Sequence, residues 1–223
     1  MRFGNEGVLL KISKPNGQGY SIAAKQVIAA LPPRLLATVS FTPAIESTAM
    51  RRWHETATWM APHAKFIALY NRPFWREAGL SGTTQSLVGP LVEIHDATTA
   101  SGKPALLGFV GVPTDQRSRM GEVAVVAGCV EQLVKLYGPH ARETRATLLK
   151  DWAADPYTAT YEDRVASGHP MTSEDLWVTG AWQNRLSLGG SETSEIEPGY
   201  LAGAVSAAGR SVSETIRRLD TDG

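Results

Sequence analysis

Apolar, β-prone residues fill Val8 to Ile12, which predicts a strand, and a second predicted strand ends in Val27 to Leu31. Between them stands Pro15-Asn16-Gly17-Gln18-Gly19, the chemistry of a tight turn, because Asn and Gly tolerate positive φ. After Pro32-Pro33 the pattern allows a short helix over Arg34 to Val39 and an irregular helical stretch over Ala44 to Thr58, neither strongly periodic. Ala64 to Asn71, bounded by Pro62 and Pro73, is the clearest strand. Thr83 to Val88, Leu91 to His95 and Ala105 to Val110 follow, each closed by Gly or Pro, and together predict a mostly antiparallel sheet. Val123, Val126, Val130, Leu133 and Val134 recur at helical spacing, so Gly121 to Tyr137 is expected to be a helix lying on that sheet and ended by Gly138-Pro139. Thr147 to Trp152 reads as a strand, residues 153 to 175 as a long irregular loop, and Leu186 to Gly190 as a short strand ending in glycines. The last element is a helix over Pro198 to Leu219, with proline near its start where a missing N–H costs nothing. No internal repeat or low-complexity tract interrupts this order.

Composition narrows the function. The 223 residues carry 22 Lys+Arg against 22 Asp+Glu, a net charge of zero, and no basic block longer than Arg51-Arg52 or Arg217-Arg218. Such a chain has no electrostatic footprint for nucleic acid or an anionic membrane surface. Its 43% hydrophobic content is enough to build a core, as one large domain or two small ones. A single cysteine, Cys129, excludes an intramolecular disulfide and a multi-thiolate zinc site. No run approaches ~18 apolar residues and Met1 to Leu10 lacks a signal-peptide core, so a soluble, unprocessed, cytoplasmic chain is expected.

The common catalytic motifs are missing. Gly17-Gln18-Gly19 leads to Ile22 where a phosphate loop needs its third glycine, there is no Gly-x-Ser-x-Gly elbow, and the five histidines never fall at i, i+4. Cys129 sits within the predicted central helix and reads as a buried, inert thiol. Two features stand out. Lys65 shares a strand face with Ile67 and Leu69, which places an ammonium on an apolar surface unless it snorkels to water. The strand ending in Gly189-Gly190 runs towards a helix paved with Gly199, Gly203, Ala204 and Ala207, which allows either a flat ligand or a packed backbone to come close.

The segment GGSETSEIEPGYLAGAVSAAGRSV (residues 189–212) resembles the closing flavin-binding motif of the flavin-containing amine oxidases. Four further segments resemble that family in the same order: VIAALPPRLLATVSFTP, AKFIALYNRPFWREAGLSG, PALLGFVGV and DWAADPYTATY. The likeness covers nearly the whole chain but matches only the carboxyl-terminal half of the family. The Gly-x-Gly-x-x-Gly unit and the acidic ribose-binding residue that open family members are absent from this sequence. The opening strands accordingly read as the middle of a sheet that belongs to something longer.

The resemblance implies an α+β fold: a mostly antiparallel substrate-domain sheet with helices, plus an incomplete FAD-binding α/β part made by the first strands and the last helix. It implies residues 1–38 as cofactor-domain strands, 39–150 as substrate domain, and 151–223 as the substrate/flavin loop and closing strand–helix. Lys65 matches the lysine that reaches the flavin through a water, and Tyr200 and Tyr161 match the aromatic pair flanking the substrate amine. Trp152 matches a tryptophan packed near the flavin. Gly190, Ser191 and Glu192 match the turn at the ribityl and pyrophosphate portion, and Val8 the strand beside the adenine. Thr160 stands where covalently flavinylated relatives carry Cys, which implies FAD held without a covalent bond. The implied chemistry is oxidation of an amine to an imine by FAD, with dioxygen reduced to hydrogen peroxide. Without the amino-terminal half, the chain is expected to hold FAD weakly or not at all and to be inactive alone, with that half or a second copy as partner. The alternative is a flavin-free binding module that keeps the fold.

Overall fold

The computed structural model describes residues 1–4, 7–165, 168–171 and 176–221. Its strands in chain order are β1 (Arg2–Gly4), β2 (Gly7–Ser13), β3 (Gly19–Ala24), β4 (Val27–Ala29), β5 (Ala64–Leu69), β6 (Thr84–Gln85), β7 (Leu91–Asp96), β8 (Ala105–Val110), β9 (Ala146–Asp151) and β10 (Leu186–Leu188). Its α-helices are α1 (Pro33–Ala37), α2 (Ser47–Glu55), α3 (Phe74–Glu77), α4 (Thr114–Met120), α5 (Glu122–Tyr137) and α6 (Leu201–Thr221). The chain divides into two compact units, Met1–Trp59 with Ala166–Gly223, and Met60–Val165.

In the first unit β1, β2 and β3 form an antiparallel sheet. The hairpin expected at Pro15 to Gly19 is present: Gly17 has φ +80° and its N–H donates to the Lys14 carbonyl at 2.9 Å. A separate parallel pair joins β10 to β4, with Leu186 opposite Val27 and Leu188 opposite Ala29. Val8, Ala29, Leu36, Trp53, Trp182, Leu186 and Leu188 make the core of this unit. Its two buried indoles find partners, as buried Trp N–H groups must: Trp53 Nε1 donates to the Trp177 carbonyl and Trp182 Nε1 to that of Pro43. The stretch expected to be irregular contains a regular helix, α2, which buries Ala49 and Trp53 one turn apart. Its periodicity is obscured by Arg51-Arg52, of which Arg52 spreads its guanidinium 3.8 Å from the centre of the Trp177 ring.

Helix α6 begins at Leu201, later than the expected Pro198. Glu197 and Gly199 both take positive φ, which breaks the helical path and folds residues 197–200 into a turn. The buried stripe of α6 is small, Gly203, Ala207 and Ser211, and lies along β10. Its opposite side carries Leu201, Val205, Val212 and Ile216, all exposed.

The second unit is a five-stranded antiparallel sheet in the order β6-β7-β8-β5-β9. Alternation along β5 sends Ala64, Phe66 and Ala68 into the core and Lys65, Ile67 and Leu69 to the other face. Helix α5 packs on the core face through Val125, Cys129 and Leu133, and Tyr70, Phe74 and Trp75 close one end in edge-to-face contacts. The apolar stripe expected on α5 is rotated. Val123 is 85% exposed, and the buried positions include Gln132. Gln132 accepts from the Leu91 N–H and donates to the carbonyls of Val88 and Leu91, so the amide is fully engaged and can be buried at little cost. β6 is shorter than the predicted Thr83 to Val88.

Burial pushes the Cys129 thiol up to about 12. We expect no reaction with a thiol-specific disulfide reagent at pH 8 in the native state and stoichiometric reaction in denaturant. Rapid native labelling would contradict the packing of α5.

Candidate functional site

The candidate residues fall in both units. In the first, β10 leads into Gly189-Gly190 and a 3₁₀ turn over Ser191–Thr193. Gly190 is a cradle: a Cβ there would lie 3.0 Å from the Leu31 carbonyl oxygen and 3.2 Å from Glu192 Oε2. Glu192 and Thr193 are buried and Ser191 is half-buried. The Thr193 hydroxyl donates to the carbonyl of Gly190 at 2.8 Å, tying the turn to its own start. Arg210, one turn before Glu214 on α6, reaches back to the same place. Its Nη2 lies 2.9 Å from the Leu188 carbonyl oxygen and 3.0 Å from Thr193 Oγ1, while Nη1 pairs with Glu214. The sequence reading gave Arg210 no role; its signal was an arginine directly before the buried Ser211 of a small-residue helix.

Past this turn the chain places Tyr200 just ahead of α6. Tyr200 is 48% exposed, and its ring does not stand alone. His169 stacks on it with centroids 4.4 Å apart and planes 16° apart, and Trp59 leans on both, its ring 3.7 Å from that of His169 and 5.8 Å from that of Tyr200. Tyr200 Oη is 2.9 Å from His169 Nε2. Trp59 Nε1 donates to the Gly199 carbonyl, and a Cβ on Gly199 would meet Trp59 Cδ1 at 2.9 Å, so glycine lets the indole settle against the turn. Val8 lies on β2 between β1 and β3, opposite Phe3 and Ala24, with its side chain in the core.

Lys65, Trp152 and Tyr161 belong to the second unit. Lys65 lies on the face of the sheet opposite α5, cross-strand from Phe109 and Lys150. Its ammonium sits 5.2 Å from the centre of the Phe109 ring, a cation over an aromatic face. Ile67, Leu107 and Leu148 lie in register on the same face, so the lysine stands at the end of an apolar row. Lys150 leans over the Trp152 ring at 4.6 Å and pairs with Asp155, whose carboxyl is held below its ordinary value by that ammonium and by the Tyr157 N–H. Burial, with Arg117 and then Lys65 nearby, pushes His63 below its ordinary value, so its imidazole is neutral at physiological pH.

Trp152 opens a 3₁₀ turn capped by Asp151, whose Oδ1 accepts from the Ala153 N–H. Asp151 is itself gripped by Arg117 in a two-pronged pair at 2.8 and 2.7 Å, and Arg117 also donates to the carbonyls of Val112 and Pro62. This anchor was not legible in the sequence. Tyr161 is 75% exposed with the Arg164 guanidinium 5.3 Å from its ring. Next to it the Thr160 N–H and hydroxyl both donate to the buried Asp163 at 3.0 and 2.9 Å. Among the described residues no His, Cys, Asp or Glu cluster could hold a metal, and no helix is long and apolar enough to cross a membrane.

Comparison with known proteins gives these positions a context. Residues 1–216 match the sequence profile of the family described as flavin containing amine oxidoreductase. A probable flavin-containing monoamine oxidase A of Dictyostelium discoideum is 27% identical over 217 residues, spanning 92% of this chain but 44% of that protein. A putrescine oxidase of Kocuria rosea is 28% identical over 158 residues. The solved cyclohexylamine oxidase from Brevibacterium oxydans shares the fold with a TM-score of 0.71 at 22% identity, covering 98% of this chain and 47% of that one. The chain thus spans less than half the length of these relatives, and over that span it belongs to the flavin-containing amine oxidoreductase family.

Proposed function

We propose that this chain is the substrate-side and carboxyl-terminal portion of a flavin-dependent amine oxidase, acting on a small amine and inactive without the remaining half of the fold. The observation that carries the reading is the Gly189-Gly190 turn entering a small-residue helix, with Tyr200 clamped at the start of that helix. A turn whose glycine packs closely on the Leu31 carbonyl, backed by Arg210 and Thr193, fits a compact backbone bend at which a phosphate-bearing cofactor could approach. Gly190, Ser191 and Glu192 are the residues that would hold FAD there, Val8 would meet its adenine portion and Trp152 would pack near its ring. The bound flavin supplies the two-electron oxidation of the amine C–H bond, returning the electrons to dioxygen as hydrogen peroxide.

The protein's own groups bind and orient. Tyr200 and Tyr161 offer electron-rich faces to the amine, and the ammonium of Lys65 supplies a positive charge at the end of an apolar row. Thr160, hydrogen-bonded to Asp163, provides no thiol for a covalent link, so FAD is held by contacts alone. The parallel pair β4–β10 has no third strand among the described residues, and the exposed Leu201, Val205, Val212 and Ile216 of α6 have no cover in their unit. Parallel strands are ordinarily buried inside larger sheets, so both features fit a fold completed by a further polypeptide segment or a second copy.

The test is a visible absorbance spectrum of the purified chain, before and after incubation with FAD and gel filtration. We expect a colourless protein, and a flavin spectrum after assembly with a family amino-terminal half, accompanied by amine-dependent peroxide release. Failure of any assembled form to bind flavin would favour the flavin-free binding module. In the assembled enzyme, Lys65→Met is expected to slow flavin reduction or reoxidation by roughly 10²-fold while leaving the unfolding midpoint unchanged. Unaltered kinetics would reduce Lys65 to a lysine that snorkels.

A further inference from the structure

The three-stranded sheet of the first unit treats its two edges differently. The outer side of β1 is closed by the chain itself, since the Phe3 N–H donates to the Thr42 carbonyl and the Thr42 N–H to that of Met1. Beyond β3 there is no further strand among the described residues, and Gly19 to Ala23 are all exposed. The strand reads Gly-Tyr-Ser-Ile-Ala-Ala, without a charge or a proline, and it pairs with β2 without a register shift. Edge strands are ordinarily guarded by charges, prolines, bulges or a covering segment, and β3 has none of the first three. We propose that β3 pairs antiparallel with β3 of a second copy of this chain, about a two-fold axis at Ser21, joining the two sheets into one.

The backbone fixes which groups face outwards. At the hairpin the Lys14 N–H donates to the Gln18 carbonyl at 2.7 Å, so these two residues form a hydrogen-bonded pair. Bonded and non-bonded pairs alternate along an antiparallel ladder. Tyr20 and Ile22 are therefore bonded to Ile12 and Leu10, while the N–H and C=O groups of Gly19, Ser21 and Ala23 point away from β2. About a two-fold axis at Ser21, that residue meets its own copy, and Gly19 meets the second copy's Ala23. Every outward backbone group of the three residues then has a partner, as a self-complementary interface requires.

The side chains select the same register. Tyr20 and Ile22 are 50% and 43% exposed and share a face with Ile12 and Leu10. The axis at Ser21 sets Tyr20 against the second copy's Ile22, and the reverse, so each side of the axis gains an aromatic and β-branched pair. Sliding the axis to Ile22 would set Tyr20 against Ala24 and lose both pairs. Lys11 lies in register with Ser21, so the two Lys11 ammoniums end three strand spacings apart, ~14 Å, beyond the reach of strong repulsion in physiological salt. The contact is short, and the dimer belongs to the small-interface, reversible class. It uses neither the apolar stripe of α6 nor the flavin reading.

The test is sedimentation equilibrium together with amide hydrogen exchange read residue by residue by NMR, on the chain at about 20 µM and about 1 mM. A reversible monomer–dimer equilibrium is expected, with exchange at Gly19, Ser21 and Ala23 slowing as concentration rises. The amides of Tyr20 and Ile22, bonded to β2, are expected to be slow at both concentrations. Ser21→Pro removes an outward N–H that the ladder with β2 does not use, a place where an edge strand tolerates proline. It is expected to weaken the dimer by roughly 10–100-fold while the chain stays folded. If that variant does not fold, Ser21→Lys sets like charges across the axis and is expected to have the same effect. A chain that stays monomeric at the higher concentration overturns the proposal. So does a dimer that ignores the folded variant and leaves the three amides unchanged, which would assign self-association to another surface such as α6. Protection of the same amides at dilution, appearing only on assembly with an amino-terminal half, would make that half the occupant of the edge and equally overturn a second copy.

Discussion

Arg117→Ala is expected to destabilise the second unit by about 3–5 kcal/mol, a large fraction of the ~5–15 kcal/mol that holds a typical domain. Arg117 is 4% exposed, and its guanidinium satisfies Asp151 on two prongs and the carbonyls of Val112 and Pro62. Removing it leaves the half-buried Asp151 carboxylate without its counter-charge, the Val112 carbonyl without its guanidinium donor and the Pro62 carbonyl with only the Thr114 hydroxyl, and a poorly solvated charge left unpaired costs more than the pair had contributed. Asp151 also caps the turn that starts with Trp152, so the change should loosen the Trp152 indole. Urea unfolding followed by tryptophan fluorescence measures the first effect. A loss below about 1 kcal/mol would show that water enters and replaces the guanidinium.

The second large effect has a sign opposite to the ordinary rule. Within a helix, glycine to alanine usually stabilises by about 1 kcal/mol. At Gly203 the new Cβ would lie 2.2 Å from the Glu197 carbonyl oxygen and 3.1 Å from that of Ile196. Both are backbone atoms of the turn that carries Gly199 and Tyr200, so neither can swing aside as a side-chain tip would. Gly203→Ala is therefore expected to destabilise by about 1–3 kcal/mol and to displace the turn. Gly209, exposed on the same helix with no heavy atom within 4 Å of its would-be Cβ, is the control: Gly209→Ala should raise the melting temperature. If both substitutions stabilise, the close approach of α6 to residues 196–197 is not maintained in solution. Trp59 fluorescence in Gly203→Ala reports whether the stack on His169 and Tyr200 opens along with the turn.

What could be seen in advance divides along a physical line. Local patterns were legible: the Asn16-Gly17 hairpin, the alternation that puts Lys65 on a face with Ile67 and Leu69, and the glycines that end β10. Each is a property of neighbouring residues, and sequence carries that directly. The buried face of α5 was misjudged by one position because apolarity was taken as the measure of burial. Gln132 is buried since all its hydrogen-bonding needs are met by a loop some forty residues away, which no periodicity can show. The same holds for the supports of the site. Arg117 finds Asp151 across 34 positions and Trp59 donates to Gly199 across 140, so both partnerships exist only once the chain has folded. The roles proposed for Lys65, Tyr161, Tyr200 and the Gly190 turn come from likeness to a family, and the geometry adds the contacts each of them makes.

The parallel pairing of β4 with β10 has a consequence for biosynthesis. Val27 must wait for Leu186 before the pair can form, whereas every strand of the second unit lies within the intervening stretch. At ribosomal rates of roughly 5–20 residues per second, that is a delay on the order of 10–30 s. Through it the nascent first segment, with Val8, Leu36 and Trp53 lacking half their core, remains exposed to chaperones and proteases. The inserted unit can mature first, and the enclosing unit closes only once Leu186 has emerged.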